Sequence, residues 1–371
     1  MRNNFVLGIG ITGLQSCTAT IDTMQDFLSY DLEGLRLLMA AWDQPSWRAR
    51  QISAWVWQRD AADYAAMTDL PASLRERLAT ELPLRRAAAA ERRVSRDATR
   101  KYLLRLADGV AVETVAIPGT GGGSSGSADQ RLTVCVSSQA GCALGCVFCA
   151  TGRAGLTRSL GAGEIAEQVR VVSEDFSRVV TNVVVMGQGE PFANYDATLG
   201  ALRLLNSPEA FNIGARHLTV STSGLIAGIA RLAAEPEQFR LAVSLHAATQ
   251  ELRDRLMPGL RGQPLTALRE ALIDYRARSG RRVSLEYVLL RDVNDHESDL
   301  DALANFARAT QAHVNLLPYN DTGTKGSGSL SPSARTREAA EFLRAAGIET
   351  SVRRSRGEDI AAACGQLAGS A

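Results

Sequence analysis

Short apolar runs alternate with helical patterns between residues 132 and 317, and this alternation limits the folds open to the chain. Six runs have the character of buried strands, at 132–136, 182–186, 217–221, 241–244, 283–290 and 314–317. Helical patterns lie between them, at 163–174, 196–205, 225–233, 264–278 and 299–310. Such alternation gives a parallel sheet with right-handed crossovers, and six units predict an α/β fold with a partial (β/α)₆ barrel. The chemistry of such a barrel lies at the carboxyl ends of its strands.

Three cysteines, Cys142, Cys146 and Cys149, follow the first predicted strand with the spacing Cys-x₃-Cys-x₂-Cys. A cubane iron–sulfur cluster normally takes four cysteine thiolates, so three on one loop leave one iron open to another ligand. A structural zinc site would need a fourth Cys or His close by, and the next downstream histidine, His217, is on a different predicted element. The glycine-rich segment also argues against three buried thiols in a core element. The pattern therefore favours a cluster with an open iron.

Length and composition allow one barrel-sized domain with a small appendage, since the chain has 371 residues and is 45% apolar. It contains no apolar run of the roughly 18 residues that a membrane span needs. Six cysteines, three of them clustered, fit metal ligation in a reducing compartment better than a disulfide framework, so we expect a cytoplasmic protein. Residues 1–28 faintly imitate a signal peptide, and we interpret them as a disordered or misassigned start, with Met24 as the initiator.

The remaining patterns divide the chain into three parts. Residues 29–100 are expected to form a helical accessory domain, 101–130 a β-hairpin with a Gly/Ser-rich loop, and 131–371 the barrel with a C-terminal loop. All four tryptophans lie within 42–57, where they stack on bases or, more commonly, close a small helical core. Seven cations between Arg85 and Lys101 stand against two carboxylates, although the whole chain carries only +1. This stripe either neutralises phosphates or is a solvated face.

A second motif, Met186-Gly-Gln-Gly-Glu-Pro191, follows the second predicted strand. Its glycines allow close approach of the backbone to a ligand, and Glu190 can accept hydrogen bonds from an amino group. The motif alone is weak, because a tight strand-to-helix turn explains it equally well. The cysteine spacing, with Phe148 just before the last cysteine, resembles the signature of radical S-adenosylmethionine enzymes. In those enzymes the amino and carboxylate groups of the cofactor occupy the open iron.

Six further segments are similar, in the same order, to those of the RlmN-type adenine-C2 RNA methyltransferases. They are Val112–Pro118, Cys135–Cys142, Ser221–Gly224, Ser244–His246, Asn315–Asn320 and Arg356–Leu367. The resemblance extends from about residue 31 to the C-terminus, and several ordered motifs are more specific than any one of them. One departure is Gln188, where many members of the family have Met.

The resemblance implies the residues of the site. A [4Fe–4S] cluster would bind Cys142, Cys146 and Cys149, and S-adenosylmethionine would contact Gly189, Glu190, Ser221, Ser244, Leu245, His246 and Asn320. The implied catalytic residues are Cys364 as the methyl carrier, Cys135 as the thiol that resolves the adduct, and Glu113 as the proton acceptor. Composition alone favours a different interpretation of Cys364, as a small buried apolar residue near the chain end.

The resemblance also implies a function, methyl transfer to carbon 2 of adenine in 23S rRNA and tRNA. That carbon is not nucleophilic, so the family uses a methyl-cysteine and a covalent RNA adduct, which a disulfide between the two catalytic cysteines releases. The accessory domain and the cationic stripe would hold the RNA, and an electron donor such as flavodoxin or ferredoxin would supply electrons. We expect a monomer with no membrane partner. The alternatives are a Cfr-type adenine-C8 enzyme, a radical enzyme with a non-RNA substrate, and a zinc-stabilised RNA-binding module.

Overall fold

The computed structural model describes residues 26–119, 131–322 and 330–368. The expectations for the chain start up to residue 25, including Met24, and for the Gly/Ser-rich segment 120–130 lie outside these ranges. Three helices come first: α1 (Leu32–Ala41), α2 (Trp47–Trp57) and α3 (Ala72–Glu81). Asp31 caps α1, because its side chain accepts a hydrogen bond from the Gly34 N–H.

Strands follow from residue 88 onward. In chain order they are β1 (Ala88–Val94), β2 (Arg100–Arg105), β3 (Ala111–Pro118), β4 (Leu132–Val136), β5 (Gln139–Gly141), β6 (Leu156–Ser159), β7 (Asn182–Val185), β8 (Leu218–Thr222), β9 (Arg240–Ser244), β10 (Ser284–Leu289), β11 (His313–Pro318) and β12 (Thr350–Val352). Strands β5 and β6 form a small sheet of their own, and the other ten form one sheet in chain order. Pairing is antiparallel from β1 to β4 and parallel from β4 to β12.

Helices connect the parallel strands. They are α4 (Ala150–Ala154), α5 (Ala162–Phe176), α6 (Tyr195–Asn206), α7 (Ile226–Ala234), α8 (Gln250–Leu256), α9 (Leu265–Ser279), α10 (Glu297–Thr310) and α11 (Thr336–Ala345). All six predicted strands and all five predicted helices of the barrel are confirmed, with ends shifted by at most two residues. None of the described helices is long and apolar enough to cross a bilayer.

The sheet begins before residue 100, the end that the sequence predicts for the helical domain. Strand β1 starts at Ala88 and pairs antiparallel with β2, which extends the expected hairpin to three strands. All seven residues of β1 are exposed, so the strand carries no alternation of apolar and polar residues that could have revealed it.

The cationic stripe is largely neutralised inside the protein. Five of its seven cations form ion pairs: Arg86 with Glu167, Arg92 and Arg100 with Asp175, Arg93 with Glu91, and Lys101 with Glu113. These pairs tie the hairpin and the N-terminal helices to α5 and to one another. The stripe therefore presents less free positive charge than its sequence suggests.

Most of the tryptophans serve the core. Trp42 and Trp57 are buried, and the Trp57 ring lies between Phe27 and Phe211, which joins the N-terminal helices to the barrel. Trp47 differs, because it is 52% exposed and its ring is covered by the Arg48 guanidinium at 4.1 Å. The core interpretation therefore fits the buried tryptophans, while Trp47 keeps an open face.

Candidate active site

One cavity of about 280 Å³ opens at the carboxyl ends of the parallel strands. Eleven of the predicted site residues line it: Cys135, Cys142, Cys146, Cys149, Gly189, Glu190, Ser221, Ser244, His246, Asn320 and Cys364. They come from five strand ends, from the cysteine loop and from the C-terminal segment. Because a parallel sheet gathers its strand ends on one edge, residues more than 200 positions apart in sequence meet here.

The cysteine loop is shaped by glycines. At Gly141 the backbone has φ +78°, and a Cβ there would lie 1.9 Å from the Gly155 carbonyl oxygen, so no other residue fits. A Cβ on Gly152 would lie 2.8 Å from the Cys146 nitrogen, which shows how closely α4 approaches the loop. Strands β5 and β6 close the loop, and the Cys142 N–H donates to the Gly155 carbonyl at 2.8 Å.

Two thiols of the cysteine loop, Cys142 and Cys146, are buried, and burial disfavours their charged form. Burial raises the pKa of Cys142 to about 11, and burial also raises the pKa of Cys146, with the nearby Cys149 and Glu190 adding to both shifts. Such thiols stay protonated without a metal, whereas a coordinating metal deprotonates them outright. No three His, Cys, Asp or Glu side chains of the described residues are close enough to hold a single ion. A cubane takes one thiolate on each of its irons and so accepts a wider spacing.

Glu190 is a buried carboxylate whose oxygens are largely committed to the protein. It accepts hydrogen bonds from the Phe192 N–H at 3.0 Å, the Thr222 hydroxyl at 2.7 Å and the Ser223 N–H at 2.7 Å. Burial raises the pKa of Glu190, and these three donors oppose the shift. The Ser223 side chain also donates to Glu190, so a ligand in the cavity would share the carboxylate with these donors.

His246 is held in a strained but fixed orientation. Its backbone has φ +54°, its Nδ1 accepts a hydrogen bond from the Val288 N–H at 3.1 Å, and its ring meets Phe148 edge-on at 4.7 Å. Burial lowers the pKa of His246 to about 3, so the imidazole is neutral with its proton on Nε2. The neighbouring Leu245 is fully buried, and it is absent from the cavity wall.

The C-terminal segment, residues 353–367, covers the cavity and carries Cys364. The Asn320 amide donates to the Cys364 carbonyl oxygen at 3.1 Å, and the Ala150 N–H donates to the Gly365 carbonyl at 2.8 Å. These contacts place the segment between the cysteine loop and the end of β11. Cys364 itself is exposed towards the cavity.

Cys135 and Cys364 are electrostatic neighbours. Burial raises the pKa of Cys135 to about 12, and the Cys364 thiol adds to the shift. Burial likewise raises the pKa of Cys364, while the Arg353 guanidinium lowers the pKa of both thiols. The two thiols therefore share a wall of the cavity with one cation.

Glu113 is the predicted catalytic residue that the structure does not bring into the cavity. It is buried on β3, where Lys101 approaches its carboxylate at 2.8 Å, and it borders a separate small groove. Gln188 also faces away from the cavity wall: its side-chain oxygen accepts the Glu113 N–H at 3.2 Å. The departure from Met at this position thus acts on the strand of Glu113 and leaves Glu190 in place.

Sequence reasoning missed two charged residues near the site. Glu286, on β10, lines the cavity, receives a hydrogen bond from Asn315 at 2.8 Å and lies 3.7 Å from Arg353. Arg253, on α8, is 1% exposed and donates to the carbonyl oxygens of Ser223 and Leu245. A charged residue inside an apolar strand run, such as Glu286 in 283–290, was the one available signal.

Comparison with protein families gives two matches. The Radical SAM superfamily model matches residues 136–307, and the model of the ribosomal RNA large subunit methyltransferase N-terminal domain matches residues 25–83. The cavity, with its cysteine loop, lies largely within the first match.

Curated relatives and a solved structure extend these matches to nearly the whole chain. A protein of Gemmatimonas aurantiaca named probable dual-specificity RNA methyltransferase RlmN is 45% identical, covering 93% of both chains. The namesake protein of Symbiobacterium thermophilum is 43% identical over 91% of this chain and 89% of its own. The crystal structure of a radical SAM methyltransferase from Sphaerobacter thermophilus has a TM-score of 0.85 and 44% identity, covering 94% of this chain and 100% of that one.

Proposed function

The chain belongs to the RlmN family of radical S-adenosylmethionine enzymes, and from that premise we propose that it methylates carbon 2 of adenine in 23S rRNA and tRNA. The family's cofactors are a [4Fe–4S] cluster and S-adenosylmethionine, which together supply the one-electron chemistry that activates an unreactive methyl group. The observation that carries the proposal is the convergence of Cys135 and Cys364 on the cavity of the cysteine loop. A radical enzyme without a methyl-carrying thiol would not need that pair.

Each residue then has a role that its surroundings support. Cys142, Cys146 and Cys149 would hold the cluster, and the Glu190 carboxylate would bind the amino group of the cofactor. The Cys364 thiol would lose its proton and take up a methyl group, and once the cofactor chemistry has removed a hydrogen atom from that group, its carbon would bond to carbon 2 of adenine. The adduct would lose one electron, which the electron-transfer partner takes up, and its carbon-2 proton. The Cys135 thiolate would then attack the Cys364 sulfur, the bond from that sulfur to the transferred carbon would break, and that carbon would take up a proton. An external dithiol must reduce the resulting disulfide before the next turnover.

Glu113 is the proton acceptor that we propose. Glu113 lies beside the cavity and is linked by Lys101 to the Ala361 carbonyl oxygen of the C-terminal segment, at 3.1 Å. A role as proton acceptor therefore requires a small displacement of that segment when RNA binds. Gly189, Ser221, Ser244, Leu245, His246 and Asn320 are the other residues that we propose for the cofactor site.

The partners follow from the same chemistry. We propose that the N-terminal helices, with the open face of Trp47, hold the RNA body while the target adenine enters the cavity out of its stack. A small electron-transfer protein such as flavodoxin or ferredoxin supplies the electrons, and the enzyme works as a monomer in the cytoplasm, where its thiols stay reduced.

The test is anaerobic reconstitution with S-adenosylmethionine, followed by mass analysis of the peptide that contains Cys364. We expect a mass gain of one methyl group on that peptide and none in a Cys364→Ala variant. Incubation with ribosomal RNA and tRNA then locates the methyl group on adenine. A methyl at carbon 8 would overturn the proposed position, and an unmethylated Cys364 would overturn the mechanism.

A further inference from the structure

The turn between β1 and β2, residues 95–99, is fastened to the C-terminal segment that carries Cys364. The Asp97 carboxylate accepts hydrogen bonds from Arg356 Nε at 2.7 Å and from the Gly357 N–H at 3.1 Å. The Asp97 carbonyl oxygen accepts a further hydrogen bond from Arg356 Nη2 at 2.7 Å. One aspartate thus receives three donors from two consecutive residues of the segment.

A second aspartate makes the reciprocal contact. Asp359, within the segment, accepts hydrogen bonds from the Ser95 hydroxyl at 2.5 Å and from the Arg96 N–H at 3.2 Å. Lys101, just after the turn, donates to the Ala361 carbonyl oxygen at 3.1 Å. The contacts therefore hold the segment from residue 356 to residue 361 against the hairpin.

The backbone of the segment has little freedom where these contacts act. Gly357 has φ +66°, and a Cβ there would lie 2.8 Å from Thr99 Cγ2, so the hairpin turn and the segment touch directly. Ala361 and Gly365 also have positive φ values, of +53° and +84°. Ala361 has a side chain, so its conformation persists only where the surroundings fix it, whereas glycine adopts such a φ readily. Cys364 follows Ala361 closely in sequence, so its position depends on the contacts that hold Ala361.

The charge of Asp97 matches this role. Burial would raise the pKa of Asp97, but hydrogen bonds from Thr99, Gly357 and Arg356 hold it far below its ordinary range. These donors favour the charged carboxylate of Asp97, and hydrogen bonds to a charged acceptor are stronger than those to a neutral one.

We propose that the β1–β2 turn is a positioning element for the methyl-carrying thiol, with Asp97 as its principal residue and Asp359 and Lys101 in support. Asp97 touches neither substrate nor cofactor, and it acts by fixing the segment that holds Cys364 opposite Cys135. The proposal rests on the assigned function of these two cysteines. It also explains why an exposed, weakly patterned hairpin is joined to the barrel sheet.

The test compares Asp97→Ala with Asp108→Ala. Asp108 is a matched control, since it also sits in a hairpin turn and pairs with an arginine, Arg158 at 2.6 Å, away from the C-terminal segment. The anaerobic holoenzyme is treated with diamide, which takes up the two electrons and two protons released when Cys135 and Cys364 form a disulfide. Peptide mass analysis measures the rate of that disulfide, and this readout does not depend on methyl transfer.

We expect Asp97→Ala to form the disulfide about tenfold more slowly than the wild type, the size of effect that the loss of a charge-assisted hydrogen-bonded pair produces. Asp97→Asn, which keeps an acceptor oxygen, should recover part of the rate, and Asp108→Ala should match the wild type. Trypsin should cleave after Arg354 and Arg356 faster in Asp97→Ala alone. Should Asp97→Ala not fold, Asp359→Ala removes the reciprocal contact from an exposed position and carries the same expectation.

A wild-type disulfide rate in a folded Asp97→Ala protein would overturn the proposal. An equal slowing in Asp108→Ala would overturn it as well, because general loss of stability would then explain the effect. If Cys364 is never methylated in the wild type while these disulfide rates follow the expected order, the proposed function fails and the positioning role stands.

Discussion

The side chain of Asn320 donates a hydrogen bond of 3.1 Å to the backbone carbonyl of Cys364. The same side chain accepts one from the Ser355 hydroxyl at 2.6 Å. A residue expected to contact the cofactor thus also holds both ends of the segment that carries the methyl-accepting thiol. We therefore expect cofactor binding and the position of the Cys364 thiol to be coupled through this amide.

Replacement of Asn320 by Ala should impair both functions of that amide. The loss leaves the Cys364 carbonyl without its donor, at a cost of about 1–3 kcal/mol. We expect the rate of Cys364 methylation to fall by roughly ten- to hundredfold, with a higher KM for S-adenosylmethionine. Methyl transfer from labelled cofactor measures both quantities. The exposed Asn305→Ala is the control, and an Asn320→Ala enzyme with the wild-type rate and KM would contradict the coupling.

Gly141 and Gly109 offer a matched pair for testing the cysteine loop. Both have positive φ, +78° and +85°, but only at Gly141 does a Cβ meet the backbone, 1.9 Å from the Gly155 oxygen. Gly109→Ala should therefore cost only the backbone strain, about 1–2 kcal/mol, and keep a full iron and sulfide content. Gly141→Ala should distort the loop and lose most of its iron. Iron and sulfide analysis after anaerobic reconstitution checks this, and equal iron contents in the two variants would refute it.

The parallel part of the fold was predictable because its strands are short, mostly apolar runs with buried residues, as in 132–136, and helical patterns separate them. Strand β1 was not, since all its residues are exposed. Strand β12 has only three residues, and it is buried by its contacts with α11 and β11. No local sequence pattern predicts such contacts.

The candidate site also has one part that the sequence predicts and one part that it does not. The cysteine loop is local, so its spacing alone indicated its chemistry. The approach of Cys364 to Cys135 is not local, and before the structure only the family resemblance suggested it. Asp97 shows the limit of sequence reasoning: within the cationic stripe it counts as one of two carboxylates, while in the fold its partners lie some 260 positions away.

Cys135 and Cys364 should give different products when each is replaced. Cys364→Ala removes the methyl acceptor, so no label should enter the protein or the RNA. Cys135→Ala keeps the acceptor but removes the thiol that releases the product, so a covalent protein–RNA adduct should accumulate. Denaturing electrophoresis with labelled RNA, with and without nuclease, detects such an adduct. Free methylated RNA from Cys135→Ala at the wild-type rate would contradict the assigned order of steps.

His246 should make stability depend on pH in a defined window. Its pKa is about 3 in the folded protein, because burial disfavours the charged form, and about 6.5 in the unfolded chain. As the pH falls below 6.5 the unfolded chain takes up a proton that the folded chain does not, so stability falls until about pH 3. Between pH 7 and pH 5 this amounts to about 2 kcal/mol. Denaturant unfolding of wild type and His246→Gln at both pH values measures it, and identical pH dependence in the two proteins would refute it.

The cationic stripe should separate into structural and RNA-facing residues. Arg86 is mostly buried, pairs with the fully buried Glu167 at 2.6 Å and donates to the Val56 carbonyl oxygen, so Arg86→Ala should lose roughly 3 kcal/mol of folding stability.

The Arg96 side chain is exposed and, among the described residues, forms no ion pair. Arg96→Ala should keep wild-type stability, while the slope of log binding constant against log salt for tRNA falls by about one unit. Unfolding curves and binding titrations at several salt concentrations distinguish the two. An unchanged salt slope for Arg96→Ala would show that RNA is held elsewhere, and a stable Arg86→Ala protein would show that its ion pair is dispensable.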